Sequence, residues 1–182
     1  MKHIKRFAFA ILVILSVSCS SDDDSSSSQN ENNITVGASV YEMKTAMVEP
    51  SIGNKIYLNI TNKKEDEITA AINGTTLNNV DMFSARINAL DLTPNITYNL
   101  SEISSLEFVV DGEFIGADFE NGLSQFYLGD GTSDLRVVDG SITVLDYAME
   151  TISLSFSFTR ADGEEITGIY KGAYLYQTSN DE

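Results

Sequence analysis

Few side chains in this sequence could act as nucleophiles or bases. Its 182 residues contain one cysteine, Cys19, and one histidine, His3, and neither type recurs after position 19. A Ser-His-Asp or Cys-His nucleophile needs histidine, and a zinc site of the usual kind needs His or Cys ligands. We therefore expect no cofactor and no enzyme of these classes.

Carboxylates are the remaining chemical resource, with 27 Asp and Glu in the chain. Paired carboxylates can hydrolyse glycosides, and oxygen ligands can bind calcium. Asp118 and Glu120 are the closest approach to a pair, but acids two apart on a strand simply share a face. We expect no catalysis from them.

Three aspartates, Asp130, Asp134 and Asp139, are candidate calcium ligands. An EF-hand loop has acidic or amide side chains at alternate positions, glycine at the sixth and glutamate at the twelfth. Thr132 and the missing glutamate break that pattern. The stretch therefore predicts an ordinary loop between strands more readily than a metal site.

A candidate binding face is formed by Tyr170, Tyr174 and Tyr176, which have the same parity and would share one face of a final strand. Tyrosines on a flat sheet can stack on sugars or contact a protein partner. The alternative is that they pack across strands or rim the core. The absence of tryptophan makes a carbohydrate platform less typical.

The first 18 residues have the composition of an export signal. Lys2, Lys5 and Arg6 precede the apolar run Phe7–Leu15, and small residues follow. The run is shorter than the roughly 20 apolar residues that span a bilayer. We expect a signal peptide over residues 1–18 that is cleaved before Cys19.

The stretch Leu15-Ser16-Val17-Ser18-Cys19 resembles a bacterial lipobox, with Ser16 where that family usually has leucine. The resemblance implies that Cys19 becomes an acylated N-terminus, and several acyl chains anchor a protein stably in a membrane. Ser21-Asp22-Asp23-Asp24 resembles the surface-export signal of Bacteroidetes lipoproteins. By these resemblances the protein is anchored in the outer membrane, facing either the exterior or the periplasm.

Residues 19–33 are expected to form a disordered tether, because positions 20–33 hold no apolar residue. Without the first 18 residues, 8 basic and 27 acidic side chains remain, a net charge of −19. A field of that sign repels nucleic acid, so we exclude it as a partner. Residues 34–178 suffice for a single domain with its own core, followed by a tail at 179–182.

Alternating apolar and polar residues predict an all-β domain, most clearly from Thr151 to Phe158. Asn-Gly and Asp-Gly steps, which favour hairpin turns, separate many of the runs. The six steps are Asn73-Gly74, Asp111-Gly112, Asn121-Gly122, Asp130-Gly131, Asp139-Gly140 and Asp162-Gly163. We expect an antiparallel meander that closes as a β-sandwich or as an up-and-down, lipocalin-like barrel.

Three segments are less regular. Residues 42–53 predict a loop or an edge, and residues 62–67 predict a charged turn before a strand containing Ile68, Ala70 and Ile72. Residues 75–91 fit either a strand or a short helix. Flanking hairpin signals favour the strand.

The C-terminal hairpin, Gly140–Asp146 and Thr151–Thr159, resembles uncharacterised β-rich lipoprotein domains of Bacteroidetes. Their pattern is G-x-I-T-I followed by T-I-S-G-T-F-S-F, and here Leu154 and Ser155 replace the Gly-Thr pair. The resemblance implies a location more than an activity, because those families have no settled function.

Together these patterns predict a lipid-anchored, non-enzymatic β domain that binds an extracellular or periplasmic partner or glycan. A lipocalin-like carrier of a small apolar ligand is the alternative, and a carboxylate-dependent glycosidase is a third. An interior cavity would favour the carrier, and two carboxylates in a cleft would favour the enzyme. A solid core with exposed tyrosines would favour the binding domain.

Overall fold

The structure, a computed structural model, describes residues 32–51, 53–115 and 118–176. The predicted signal peptide, the lipid-bearing Cys19, almost all of the predicted tether and the tail at 179–182 lie outside the described residues. Within the described ranges, no helix has the length and apolar character needed to cross a bilayer.

The described chain is mostly strand with one short α-helix, so the all-β prediction is confirmed. The helix α1 is Glu65–Ile72, and a 3₁₀ turn covers Leu100–Glu102. The strands are β1 (Asn33–Val36), β2 (Ser39–Glu42), β3 (Thr45–Ser51), β4 (Lys55–Thr61), β5 (Leu77–Ile87), β6 (Ile96–Asn99), β7 (Ile103–Ile115), β8 (Asp118–Glu120), β9 (Leu123–Tyr127), β10 (Val137–Tyr147), β11 (Thr151–Arg160) and β12 (Glu165–Tyr176).

The strands form one large mixed sheet in the order β6-β10-β11-β12-β3-β4-β5-β7-β8, with β1 and β2 added beside β12 and β9 beside β7. Strand β12 changes partner along its length. Its first nine residues pair with β11, whereas Tyr174–Tyr176 pair in parallel with Ala46–Val48 of β3. The sheet is not closed into a barrel, so the prediction of a closed, lipocalin-like barrel fold is wrong. The parallel pairing departs from a simple meander.

The sheet has two halves, one formed by β1, β2, β6 and β10–β12 and the other by β3–β5 and β7–β9. One hydrophobic core contains residues from both halves. Phe83 of β5 stacks on Phe156 of β11 with ring centroids 4.5 Å apart and planes 8° apart. Phe126 of β9 lies 6.3 Å from Phe83, and all three rings are buried. The predicted inward set on β11, Ile152, Leu154, Phe156 and Phe158, is buried as well. Buried aromatic rings therefore form the middle of this core.

Helix α1 replaces the predicted charged turn and strand, which are wrong. The Glu67 carboxylate accepts the Lys64 N–H at 2.9 Å, and three acidic residues in the first turn complement the helix dipole. Ile68 and Ala71, three residues apart, share the buried face. Ala71 joins Val80 and Phe114 in a small second core outside the main one.

Asn73-Gly74 ends this helix and does not form the predicted hairpin turn. Gly74 N–H donates to the Ala71 carbonyl at 2.8 Å, and Thr75 N–H to Ala70 at 3.0 Å. These are the paired bonds of a Schellman motif, in which glycine takes the left-handed conformation, here with φ of 98°.

The other Asn-Gly and Asp-Gly steps lie in a hairpin turn, in loops and at bulges, all of which accept a residue with positive φ. Asp162-Gly163 forms the β11–β12 hairpin turn as predicted, with Gly163 N–H bonded to the Arg160 carbonyl at 3.0 Å. Asp130-Gly131 lies in the β9–β10 loop, and Asn121-Gly122 links β8 to β9, which both pair with β7. Asp111-Gly112 and Asp139-Gly140 lie within strands, at bulges. Their prediction as turns is wrong.

The remaining uncertain segments are strands. Residues 75–91 contain β5, which confirms the strand. The segment 42–53, predicted as a loop or an edge, contains the strand β3, so the loop is wrong. Pro50 lies where β3 pairs with β4 alone, because β12 pairs only with Ala46–Val48, and this part of β3 is therefore an edge. The predicted strand at 34–41 is a hairpin that turns at Gly37-Ala38, where Gly37 has φ of 57°.

Candidate functional site

Tyr170 is a structural residue and does not belong to an exposed tyrosine face. It is 2% exposed, its hydroxyl donates to the Ala173 carbonyl at 2.6 Å, and it accepts the Ala46 N–H at 3.2 Å. Burial raises the pKa of this phenol. These bonds join β12 to β3 just where β12 changes partner. The prediction that Tyr170 lines a binding face is therefore corrected.

Tyr174 instead pairs with Tyr147, which sequence reasoning missed. Their rings stack with centroids 5.4 Å apart and planes 29° apart. Burial, followed by a hydrogen bond with Tyr174, raises the pKa of Tyr147 well above that of a free phenol. In a regular strand, Tyr147 would lie on the face of β10 opposite to the buried Val144. A register shift between Val144 and Asp146 reverses that order and brings Tyr147 to Tyr174.

Tyr176, the third predicted tyrosine, is 57% exposed and borders a cleft of about 280 Å³. We call this cleft the tyrosine cleft. It lies where β3, β4, β10 and β12 meet the loop that follows β5. Its lining consists of Val48, Pro50, Ile56, Leu90, Asp91, Tyr147 and Tyr176.

The tyrosine cleft has a fixed apolar floor and an open apolar rim. Val48 and Ile56 are buried beneath it, whereas Leu90 is 78% exposed at its edge. Met149, two residues after Tyr147, is 90% exposed.

Asp91 supplies the carboxylate in the lining of the tyrosine cleft. Its carboxylate accepts the Leu92 N–H at 2.8 Å. The buried Tyr98 holds the loop on either side, because its hydroxyl donates to the Asp91 carbonyl at 3.4 Å and accepts the Thr93 N–H at 3.3 Å. The position of this carboxylate is therefore set by the core. Neither Asp91 nor Tyr98 was predicted as a site residue.

A second cleft of about 250 Å³ has Tyr174 in its lining. Lys44, Lys64 and Glu65 contribute to its lining, as does Asn32. The Asn32 side chain donates to the Lys171 carbonyl at 3.1 Å and accepts the Lys171 N–H at 2.7 Å. These two bonds fix the start of the described chain beside β12.

The calcium candidates do not form a site. The described residues contain no cluster of three or more Asp, Glu, His or Cys that could hold a metal, and Asp130, Asp134 and Asp139 are not brought together into one. The Asp139 carboxylate instead accepts the Gly140 N–H at 2.9 Å, at the bulge in β10. Asp118 and Glu120 are exposed on the short strand β8.

Asp81 has a perturbed carboxyl group, but its contacts are structural. Burial raises its pKa, while a bond from the Asp111 N–H, 3.1 Å long, opposes that rise. Its other oxygen accepts the Asn62 side-chain amide at 3.1 Å. Asp81 thus holds the bulge at Asp111, where φ is 55°.

No family model, curated protein or solved structure matches this chain. The tyrosine cleft combines aromatic faces, aliphatic walls and one carboxylate that the core positions. Such a lining can bind and orient a small group by stacking, apolar contact and one charged hydrogen bond.

Proposed function

We propose that this protein is a lipid-anchored, non-enzymatic binding domain of the cell envelope, and that it binds an extracellular or periplasmic partner or glycan at the tyrosine cleft. The observation that carries the proposal is the cleft itself. Tyr147 and Tyr176 line a depression beside Asp91, whose backbone carbonyl accepts the hydroxyl of the buried Tyr98. Concave sites with apolar walls and few polar groups are the usual form of ligand sites.

Binding fits the lining better than glycoside hydrolysis does. Hydrolysis by the common mechanisms uses two carboxyl groups roughly 5 to 9.5 Å apart on either side of the scissile bond. Asp91 is the single carboxylate among the residues that line the tyrosine cleft. One carboxylate can orient a ligand, whereas the second catalytic role has no candidate in this lining.

The carrier of an apolar ligand has less support. A lipocalin-like carrier stores its ligand inside a closed barrel. Here the sheet is open, and the rings of Phe83, Phe126 and Phe156 lie close together in the core. The exposed tyrosine cleft therefore supports binding at the surface of the domain.

Binding at the tyrosine cleft is tested by an oligosaccharide array probed with the full-length protein. We expect a subset of glycans to bind, and Tyr176→Ala to weaken that binding about tenfold, because one stacked aromatic contributes on the order of 1 kcal/mol. Tyr57→Ala is the matched control, since Tyr57 lies on β4 outside the cleft and contacts Arg86. Equal binding by wild type and Tyr176→Ala would place the glycan site elsewhere and overturn the proposal.

The anchor is tested by changing Cys19 to Ala and fractionating cells. We expect the wild-type protein to sediment with the outer membrane and the variant to be released, because the variant cannot carry the proposed acyl chains. Ser20→Ala, next to the modified position, should sediment like the wild type. Sedimentation of the Cys19→Ala variant with the membrane would refute lipid anchoring. Protease added to intact cells then separates surface display, which gives degradation, from a periplasmic position, which gives protection.

A further inference from the structure

We propose that the ligand group held in the tyrosine cleft is a small organic ammonium ion. This inference rests on the proposed function, because it names the chemistry of the ligand at that same site. It follows from the aromatic surfaces of the cleft, its one carboxylate, its apolar walls and the charge of the chain.

The aromatic part of the cleft is suited to a cation. The face of a tyrosine ring is electron-rich and attracts ammonium groups within about 6 Å of its centroid. Tyr147 is held by its stack with Tyr174, so its ring is oriented before a ligand arrives. Tyr176, which is largely exposed, supplies a second ring at the mouth of the cleft.

The charge in the cleft is negative and is not neutralised by a basic neighbour. Asp91 is an acidic lining residue, and none of the seven lining residues is Lys, Arg or His. In the part of the chain that the structure describes, the ion pair found is between Arg160 and Asp162, away from the cleft. A ligand with a positive charge would therefore give Asp91 the partner that the protein does not provide.

The walls of the cleft select the kind of cation. Pro50 and the exposed Leu90 supply carbon atoms beside the two tyrosines, and carbon surface favours methyl and methylene groups over a hydrated metal ion. The volume of about 280 Å³ is at the lower limit of ligand pockets, so it suits a small group or the end of a longer ligand.

The charge of the whole chain acts in the same direction. A formal net charge of −16 attracts cations and repels anions. A neutral sugar gains nothing from this field, and an anionic ligand is opposed by it. The second cleft, with Lys44 and Lys64, lacks this character and serves as an internal contrast.

The test is calorimetric titration of the full-length protein, in an uncharged detergent, with choline and with 3,3-dimethyl-1-butanol. The two probes have nearly the same shape, but only choline is charged. We expect choline to bind at least tenfold more tightly, because the rings and Asp91 respond to its charge. Equal affinities for the two probes would overturn the inference.

Four variants locate the effect. Asp91→Asn should weaken choline about tenfold and leave 3,3-dimethyl-1-butanol unchanged, whereas Asp118→Asn, an acid on the distant strand β8, should change neither. Tyr176→Leu should weaken choline more than Tyr176→Phe, which keeps the ring. Unchanged choline affinity in Asp91→Asn would also overturn the inference.

Two further probes distinguish the source of the ammonium group. Preference for glucosamine over N-acetylglucosamine would identify an amino sugar, whereas preference for choline over both would identify a free amine. If array glycans bind and lose affinity in Tyr176→Ala while choline shows no advantage, the proposed function stands and this inference fails. If neither class of ligand binds, both fail.

Discussion

Replacing Phe83 with Ala is expected to lower the free energy of unfolding by about 3–5 kcal/mol, the usual loss for a large aromatic residue removed from a core. Phe83 is 0% exposed and stacks on Phe156 across the two halves of the sheet. Its removal would leave a cavity at the contact that holds these halves together. Urea denaturation followed by circular dichroism measures the change, with an unchanged slope as evidence of a two-state transition.

Phe119→Ala is the control for this prediction. Phe119 is half-buried and packs edge-on against Phe114 in the second core, with ring centroids 5.4 Å apart. We expect a loss of about 1–2 kcal/mol, because less apolar area is re-exposed to water. A loss at Phe119 equal to that at Phe83 would contradict the view that the contact between the two halves dominates stability.

Gly140→Ala is expected to destabilise the protein by about 2–4 kcal/mol through backbone strain and overlap. Gly140 lies at the bulge in β10 with φ of 133°, where L-residues rarely occur. An added Cβ would overlap the Ser157 carbonyl oxygen and lie 2.7 Å from the Phe158 Cα. Both are backbone atoms of the neighbouring strand, so neither can move aside easily. Thermal unfolding and urea denaturation measure the loss.

Gly131→Ala separates the two causes. Gly131 also has positive φ, at 113°, but an added Cβ would meet nothing within 4 Å. Its loss should reflect strain alone, about 1–2 kcal/mol. If Gly131→Ala destabilises as much as Gly140→Ala, the packing of β10 on β11 does not contribute to the effect.

Alternation in the sequence predicted most of the strands because burial on one face leaves a period of two. It worked best at β11, where Ile152 and Phe158 point inward, and at β12. It failed at α1, where Ile68, Ala70 and Ile72 alternate as in a strand. The same segment also has Ile68 and Ala71 on one helical face, and this is the face that is buried. The helix carries no Ser, Thr, Asp or Asn at its N-cap, so the usual start signal was missing.

The glycine steps were predicted less well for a different reason. A positive φ is required by hairpin turns, helix ends and bulges alike, so Asn-Gly or Asp-Gly does not specify which of them forms. At Asp111 and Gly140 the neighbouring strand continues through the step, and the sequence of one strand does not contain that information.

The candidate site was predicted in part. Tyr174 and Tyr176 could be identified from parity on the last strand, but Tyr170 was wrongly grouped with them. Tyr147 was missed because a bulge changes its face, and Asp91 because its position depends on the distant Tyr98. Such placements depend on contacts between segments far apart in sequence, which local patterns do not record.

The attachment of Asn32 to Lys171 affects how the domain would be oriented at a bilayer. Asn32, the first described residue, is bonded to Lys171 of β12, five residues before Tyr176, and it lines the second cleft. If Cys19 carries lipid, 12 residues separate the anchor from Asn32. The lining of the second cleft includes Asn32, so this cleft, rather than the tyrosine cleft, would lie beside the anchored end of the domain.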